Sequence, residues 1–131
     1  MSTAFPVALA TNSSQADTDF ILERFALRRF FTAVVTREQY DSAKPAPDAF
    51  RTAATRLQRP PGRCVVIEDA FKGVVAAADA GCACIAFPHG YTAGQDVSRA
   101  QTVIASLDEA TVALVDALVG SPASSRSARP S

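Results

Sequence analysis

The sequence predicts an α/β fold with a mostly parallel sheet, on two observations. Short apolar runs alternate with stretches of helical periodicity along most of the chain. Apolar residues make up 48% of the 131 residues, which is ordinary for one small globular domain. We therefore expect one domain over residues 1–119. Residues 120–131 contain no large apolar residue, and we expect a disordered tail rich in Ser, Ala, Pro and Arg there.

The first part of the chain predicts a strand, a helix and a second strand. Residues 7–10 form a short apolar run, typical of a buried strand, and the polar residues 11–14 follow it as a loop. Ser14 and Asp17 form a variant of the capping box that begins a helix. The apolar stripe of this helix comprises Ile21, Leu22, Phe25 and Ala26. Residues 31–35 are rich in β-branched and aromatic residues, which favours a second strand.

The middle of the chain predicts a loop, a helix, a strand and another helix. Residues 36–44 are polar and predict the loop, and Pro47 suits the first position of the helix. The buried face of that helix comprises Phe50, Ala53, Ala54 and Leu57. Residues 64–67 are continuously apolar, so we expect a strand covered on both faces. A helix rich in Val and Ala follows over 71–80 and ends at Gly81.

The last part of the chain predicts two more strands and a final helix. Residues 84–87 and 102–104 are the strands, and residues 88–99 form a loop that contains Gly90 and Gly94. The final helix carries an apolar stripe of Leu107, Ala110, Leu114 and Leu118.

Charge and cysteine content argue against several classes of protein. Thirteen basic residues balance thirteen acidic ones, and the basic residues are scattered, so we expect no nucleic-acid partner. No apolar run is long enough to span a membrane, and residues 1–6 lack the features of a signal peptide, so we expect no membrane association. The three cysteines fit no disulfide framework. We interpret Cys64 and Cys84 as small buried hydrophobic residues, which suits a reducing cytoplasm.

Polar groups follow the predicted strands, at the edge where parallel sheets gather their chemistry. The first group comprises Thr11, Asn12, Ser13 and Ser14. Their hydroxyls, and main-chain N–H groups at the start of a helix, suit the binding of phosphate oxygens. The alternative interpretation is an ordinary helix N-cap.

The second and third groups are a lysine and a pair of carboxylates. Lys44 lies in a stiff loop before Pro45 and Pro47, where its ammonium can neutralise a phosphoryl group. The alternative is a solvated loop lysine. Glu68 and Asp69 directly follow an apolar strand, and such a sparse carboxylate site suits Mg²⁺. The alternative is that Asp69 caps the next helix while Glu68 is solvated.

Together these groups resemble motifs two, three and four of the haloacid dehalogenase superfamily. The resemblance is to the branch that includes β-phosphoglucomutase and many sugar-phosphate phosphatases. The matching segments are VALATNSS at 7–14, KPAPDAF at 44–50, VVIEDAFKGV at 65–74 and AAADAG at 76–81. Their order and spacing fit the family, and the similarity covers residues 7–118.

The resemblance implies a Rossmann-like three-layer parallel sheet and specific roles in phosphate binding. Thr11 is expected to donate its hydroxyl to the transferring phosphoryl group, helped by the N–H groups of Asn12 and Ser13. Lys44 is expected to bridge the phosphate and the nucleophile. These roles are positioning and charge neutralisation in phosphoryl transfer.

The resemblance also implies a cofactor, Mg²⁺. Asp69 is expected to be its main ligand, with Glu68 beside it or one water away. Gly73 is expected to let the following helix pack close to the site.

Two parts of the family pattern are missing from the sequence. The family's nucleophile is an aspartate in a D-x-D motif, which ends a strand between the strands of motifs two and four, and a cap domain reads the substrate. The D-x-D at Asp17 and Asp19 does not fit, because no apolar strand precedes it and it lies in the first turn of a helix. We therefore expect an incomplete fold that lacks its central strand and cap.

The expected function is that of part of a Mg²⁺-dependent phosphohydrolase acting on a small phosphorylated metabolite, a sugar phosphate, with the nucleophilic Asp outside this chain. The isolated chain is then expected to be inactive. A phosphomutase of the β-phosphoglucomutase type shares every motif, and a truncated remnant or non-catalytic binder of phosphate or Mg²⁺ is the alternative of another class. His89, Cys82 and Cys84 lack a tetrahedral ligand set, and we expect no zinc.

Overall fold

A computed structural model describes residues 5–119, and it has the α/β architecture that the sequence predicts. Residues 1–4 and the predicted tail, residues 120–131, lie outside the described part. Within it the strands are β1 (Ala8–Ala10), β2 (Ala33–Val35), β3 (Val65–Glu68), β4 (Ala83–Ala86) and β5 (Thr102–Val103). The α-helices are α1 (Gln15–Arg24), α2 (Asp48–Arg56), α3 (Phe71–Ala80) and α4 (Val112–Val119).

The strands form two separate parallel sheets over the described residues. One sheet pairs β1 with β2, with Ala8 opposite Ala33. The other has the order β3-β4-β5, with Val65 opposite Ala83. No ladder joins β1 to β3 within residues 5–119. The two sheets therefore have the order expected of a parallel sheet from which the strand between β1 and β3 is absent.

One layer of helices covers both sheets on the same side. The main apolar cluster lies between α2, α3 and β4, and it comprises Phe50, Val74, Ala76, Ala77, Ala80, Cys82, Cys84 and Ala86. Ala10 of β1 and Val66 of β3 both pack against this cluster. A second cluster, centred on Ile85, Ile104 and Val115, lies on the opposite side of β4 under α4. The result is a three-layer arrangement.

Helices α2 and α3 agree well with the predicted patterns. Phe50, Ala53 and Ala54 are buried as the spacing predicts, although Pro47 precedes the helix as its N-cap residue instead of occupying its first position. Helix α3 has the predicted bounds and ends at Gly81, whose φ of 89° lies in the left-handed region that favours glycine.

Two predictions about apolar surfaces were wrong. In α1 only Leu22 of the predicted stripe is buried, whereas Ile21 is 47% and Phe25 is 61% exposed. In β3, Ile67 is 44% exposed, so this strand is not covered on both faces. β3 lies at the edge of its sheet. On the face of β3 that is turned towards α4, Val65 packs against the α4 cluster, whereas Ile67 lies beyond that cluster.

Several element boundaries also differ, because short 3₁₀ turns occupy the flanks. The turn Arg28–Phe30 delays β2 to Ala33, and Arg37–Gln39 forms a turn inside the predicted loop 36–44. A further turn, Leu107–Glu109, precedes α4, which therefore begins only at Val112.

The described part of the chain contains no helix long and apolar enough to cross a membrane. Of the cysteines in this part of the chain, Cys82 and Cys84 are buried and Cys64 is partly buried. Burial raises the pKa of the Cys84 thiol to about 12. Cys84 is thus the small buried hydrophobic residue that the sequence predicts.

Candidate active site

The loop after β1 continues the hydrogen bonding to β2 for one residue and then caps helix α1. The Thr11 amide donates to the carbonyl of Val35 at 3.0 Å, and the Ser13 amide donates to Thr11 Oγ1 at 3.0 Å. Ser14 Oγ accepts from the Asp17 amide at 3.1 Å and is the N-cap of α1. The N-cap interpretation therefore applies to Ser14, whereas the other three residues precede the cap as a short turn at the end of β1.

Lys44 lies where the two sheets come together. Its Nζ donates to the carbonyl of Ala10 at 3.1 Å and to Glu68 Oε2 at 3.3 Å. The ammonium also lies 4.7 Å from the centre of the Phe50 ring, and the side chain is only 12% exposed. Lys44 is thus not a solvated loop lysine, and it links the carboxyl ends of β1 and β3.

Glu68 is held by contacts on three sides. Besides Lys44, it accepts a hydrogen bond from the Asp69 amide through Oε1 at 3.0 Å. The glutamate side chain lies against Gly73, where a Cβ atom would come 1.9 Å from Glu68 Cδ. The close approach of α3 that the resemblance implies for Gly73 is therefore present, and the alternative of a solvated Glu68 is wrong.

Asp69 presents its carboxylate to solvent beside a histidine. Its side chain is 44% exposed, and Oδ2 lies 3.6 Å from Nε2 of His89, whose ring stacks on Phe87. Asp69 does not cap α3, because Ala70 occupies the N-cap position without a side-chain hydrogen bond. The second alternative interpretation of this pair is therefore also wrong.

The carboxylates fit magnesium as part of its ligand set. Mg²⁺ is held by one or two carboxylates and keeps several waters, and Asp69 offers an exposed carboxylate beside Glu68. Nowhere in residues 5–119 do three or more His, Cys, Asp or Glu side chains converge as a metal site. The remaining ligands of the ion would be water molecules or groups other than the carboxylates of Glu68 and Asp69.

The rejected D-x-D segment lies on helix α1, as the sequence predicts. Asp17 is in the first turn, and Asp19 Oδ1 accepts from Arg28 at 2.6 Å and from Gln15 at 3.0 Å. The hydrogen bond from Arg28 lowers the pKa of Asp19. Neither carboxylate contacts Lys44 or Glu68.

An open depression adjoins the site on the α3 side. It has a volume of about 420 Å³ and is lined by Ala70, Phe71, Lys72, Gln95 and Asp96. Gln95 Oε1 accepts from the Phe71 amide at 2.7 Å, which joins the loop after β4 to the start of α3.

Sequence reasoning missed two residues of the site. The sequence pattern groups His89 only with the cysteines, whereas in the structure its neighbour is Asp69. The sequence predicts a polar loop around Tyr40, yet Tyr40 is buried, and its hydroxyl lies 2.9 Å from the Thr11 carbonyl and 2.5 Å from Asn12 Oδ1. A lone aromatic residue in a polar segment was the available signal, because a buried tyrosine usually finds a partner for its hydroxyl.

A hydroxyl-bearing turn, a lysine and paired carboxylates lie at the carboxyl ends of the parallel strands, the edge at which α/β proteins of this type bind their ligands. The family model for haloacid dehalogenase-like hydrolases matches residues 2–81. The chain belongs to this family, in the branch that includes β-phosphoglucomutase.

Individual relatives agree with this assignment. The chain is 42% identical over 76 residues to fructose-1-phosphate phosphatase YqaB of Escherichia coli. This alignment covers 58% of the chain and 40% of the relative. It is 35% identical over 109 residues to β-phosphoglucomutase of Bacillus subtilis, and this alignment covers 83% of the chain and 46% of the relative. A crystal structure of CbbY from Rhodobacter sphaeroides in complex with phosphate superposes with a TM-score of 0.79 at 30% identity.

The chain spans about half the length, or less, of the proteins it matches. The CbbY alignment covers 85% of the chain and 51% of that structure.

Proposed function

We propose that this chain is the phosphate- and magnesium-binding part of a Mg²⁺-dependent phosphohydrolase that acts on a small phosphorylated metabolite, in particular a sugar phosphate. The observation that carries the proposal is the position of Lys44. Its ammonium contacts the ends of both β1 and β3. One positive charge therefore lies between residues 11–13, called here the Thr11 turn, and the carboxylates of Glu68 and Asp69. The similarity to a fructose-1-phosphate phosphatase supports the class of substrate.

In this proposal the Thr11 turn receives the phosphoryl group. The Thr11 hydroxyl and the N–H groups of Asn12 and Ser13 bind its oxygens, as main-chain groups at the start of a helix do for anions. For this the Ser13 N–H exchanges its hydrogen bond to Thr11 Oγ1 for one to the phosphoryl group. Lys44 neutralises charge on the same group and on the nucleophile. Asp69 holds Mg²⁺, with Glu68 beside it or through water, and the metal supplies further charge neutralisation when bound.

The nucleophilic aspartate is proposed to come from a strand between β1 and β3. On β1, the carbonyl of Val7 and the amide of Thr11 bond to the β2 side, so the main-chain groups of Ala8 and Ala10 turn the other way. On β3, the carbonyls of Cys64 and Glu68 accept from the β4 side.

The main-chain groups of Val65 and Ile67 in β3 therefore point away from β4. They point towards the gap between β3 and β1, which the Lys44 side chain bridges. A parallel strand inserted there would pair with both edges and end beside Lys44. A carboxylate at its end would then lie next to the proposed phosphate site.

A phosphomutase is the second candidate, because the chain also matches a β-phosphoglucomutase over 83% of its length. The two activities require the same residues of this chain, and they differ in whether the phosphoryl group returns to the substrate or passes to water. Product analysis distinguishes them: a phosphatase releases inorganic phosphate, whereas a mutase forms an isomeric sugar phosphate.

Phosphate release from a panel of sugar phosphates in the presence of Mg²⁺ tests the proposal. We expect no turnover by the 131-residue chain alone, and turnover once it carries the strand and cap segment of a relative at its N-terminus. Asp69→Ala should abolish that activity, whereas Asp79→Ala, a matched change at the far end of α3, should preserve it. Turnover by the 131-residue chain alone would show that the nucleophile lies within it.

A further inference from the structure

We propose that Tyr40 is a positioning residue for the phosphate turn, defined here as residues 11–13. Its hydroxyl would hold Asn12 so that the side-chain amide presents a hydrogen-bond donor to the bound anion. The inference rests on the proposed function, because it concerns the same phosphate site. Tyr40 is not among the motif residues of the sequence, and its role follows from its contacts.

The Tyr40 hydroxyl lies at the meeting point of three chain segments. It lies 2.5 Å from Asn12 Oδ1 and 2.9 Å from the Thr11 carbonyl, and these two acceptors share its single hydrogen. The Lys44 amide donates to the same Asn12 oxygen at 3.4 Å. The hydroxyl thereby connects the phosphate turn to the segment that carries the lysine.

The ring of Tyr40 is fixed, so its hydroxyl has little freedom to move. Tyr40 is only 8% exposed and packs in a cluster with Val35, Ala49 and Ala53. The Arg37 guanidinium lies 5.1 Å from the centre of the ring, and it donates to the Tyr40 carbonyl at 2.8 Å. Burial also raises the pKa of the Tyr40 phenol, which keeps the hydroxyl protonated, and thus a donor, at neutral pH.

The consequence for Asn12 is a defined orientation of its amide. Its Oδ1 faces two donors, the Tyr40 hydroxyl and the Lys44 amide. The other end of the amide, Nδ2, is a pure donor, and the residue as a whole is exposed. A fixed donor in the same turn as the Thr11 hydroxyl suits phosphate oxygens, and fixing it in advance lowers the ordering cost of binding the anion.

Binding of inorganic phosphate to the 131-residue chain tests this role. We compare Tyr40→Phe, which removes only the hydroxyl, with Tyr91→Phe, which makes the same change on a fully exposed ring. Tyr40→Phe should weaken phosphate binding about three- to tenfold, the effect of losing one hydrogen bond. The ¹H–¹⁵N amide signals of Asn12 and Ser13 should shift in the same variant.

Two further variants separate positioning from general stability. Val115→Ala should destabilise the chain in the α4 cluster while leaving phosphate affinity unchanged. In an Asn12→Ala background, Tyr40→Phe should lose most of its effect, because it acts through that residue. Equal phosphate affinities of Tyr40→Phe and Tyr91→Phe would overturn the inference and leave the proposed function intact. No phosphate binding by the unmodified chain would overturn both.

Discussion

Lys44 Nζ lies 3.3 Å from Glu68 Oε2, and the two side chains are only 12% and 14% exposed. They come from segments 24 residues apart in sequence, one before α2 and the other at the end of β3. A charge pair so little exposed depends on its partners, because loss of either residue leaves the other poorly solvated. Stability and the candidate site are therefore linked at this contact.

Lys44→Met should destabilise the chain by about 1–3 kcal/mol, because the Glu68 carboxylate and the Ala10 carbonyl both lose a donor. Urea unfolding followed by circular dichroism measures the change. The only other lysine, Lys72, is exposed. Lys72→Met should change the free energy of unfolding by less than about 0.5 kcal/mol. Similar losses in the two variants would contradict the importance of the contact.

Gly73→Ala should disturb the site through Glu68. The new Cβ would lie 1.9 Å from Glu68 Cδ, so the glutamate has to move and its contact with Lys44 is disturbed. We expect a loss of about 1–3 kcal/mol in the free energy of unfolding, as for other overpacked positions. Gly62→Ala is the matched control, since a Cβ there meets nothing within 4 Å. The prediction fails if Gly73→Ala unfolds at the same urea concentration as Gly62→Ala.

The Cys84 thiol should make stability fall at alkaline pH. Burial, with smaller effects of Glu68 and Cys82, raises its pKa from 9.0 to about 12, so the folded state favours the protonated thiol. Its contribution to stability is complete below pH 9 and is lost as the pH rises towards 12. Between pH 8 and pH 10.5 this loss should amount to roughly 1–2 kcal/mol.

Urea unfolding at both pH values checks this prediction against Cys84→Ala. The variant should lose less stability over the same interval, because it lacks the group that titrates. An identical loss in the two proteins would assign the alkaline effect to other residues. Iodoacetamide provides a second measurement, since folded protein should react slowly at Cys84 and unfolded protein quickly.

Magnesium binding should depend on Asp69 and should be weak in the isolated chain. Two neighbouring carboxylates leave most of an octahedral shell to water, so we expect a dissociation constant in the millimolar range, a binding free energy of about 4 kcal/mol. Calorimetric titration of the chain and of Asp69→Asn measures it. Asp79→Asn, an exposed carboxylate that pairs with Arg99, serves as the control. Unchanged affinity in Asp69→Asn would remove Asp69 from the proposed metal site.

Much of the fold could be predicted because its signals are local. The spacing of Phe50, Ala53 and Ala54 defines the face of α2, and Gly81 ends α3 where the backbone turns left-handed. The polar groups after β1 and β3 follow directly from the ends of apolar runs. These features depend on neighbours within a few residues, so one sequence is sufficient to recognise them.

The features that were missed depend on distant contacts. Tyr40 reaches Asn12 across 28 residues, and no periodic pattern marks such a contact. The stripe on α1 has a helical pattern, but Phe25 has no covering element within residues 5–119 and stays exposed. A pattern indicates which face of a helix is apolar, and only the tertiary structure decides whether that face is covered.

The division into two sheets also affects how the chain folds. The first sheet is built from residues 8–35 and the second from residues 65–103, so each assembles from segments close in sequence. Helix α2 lies between them in the chain and contacts β1, β2 and α3. It is thus one of the elements that join the two locally built sheets, together with the Lys44 contacts and the packing of Ala10. Undocking of α2 should therefore weaken the coupling of amide hydrogen exchange between the two sheets.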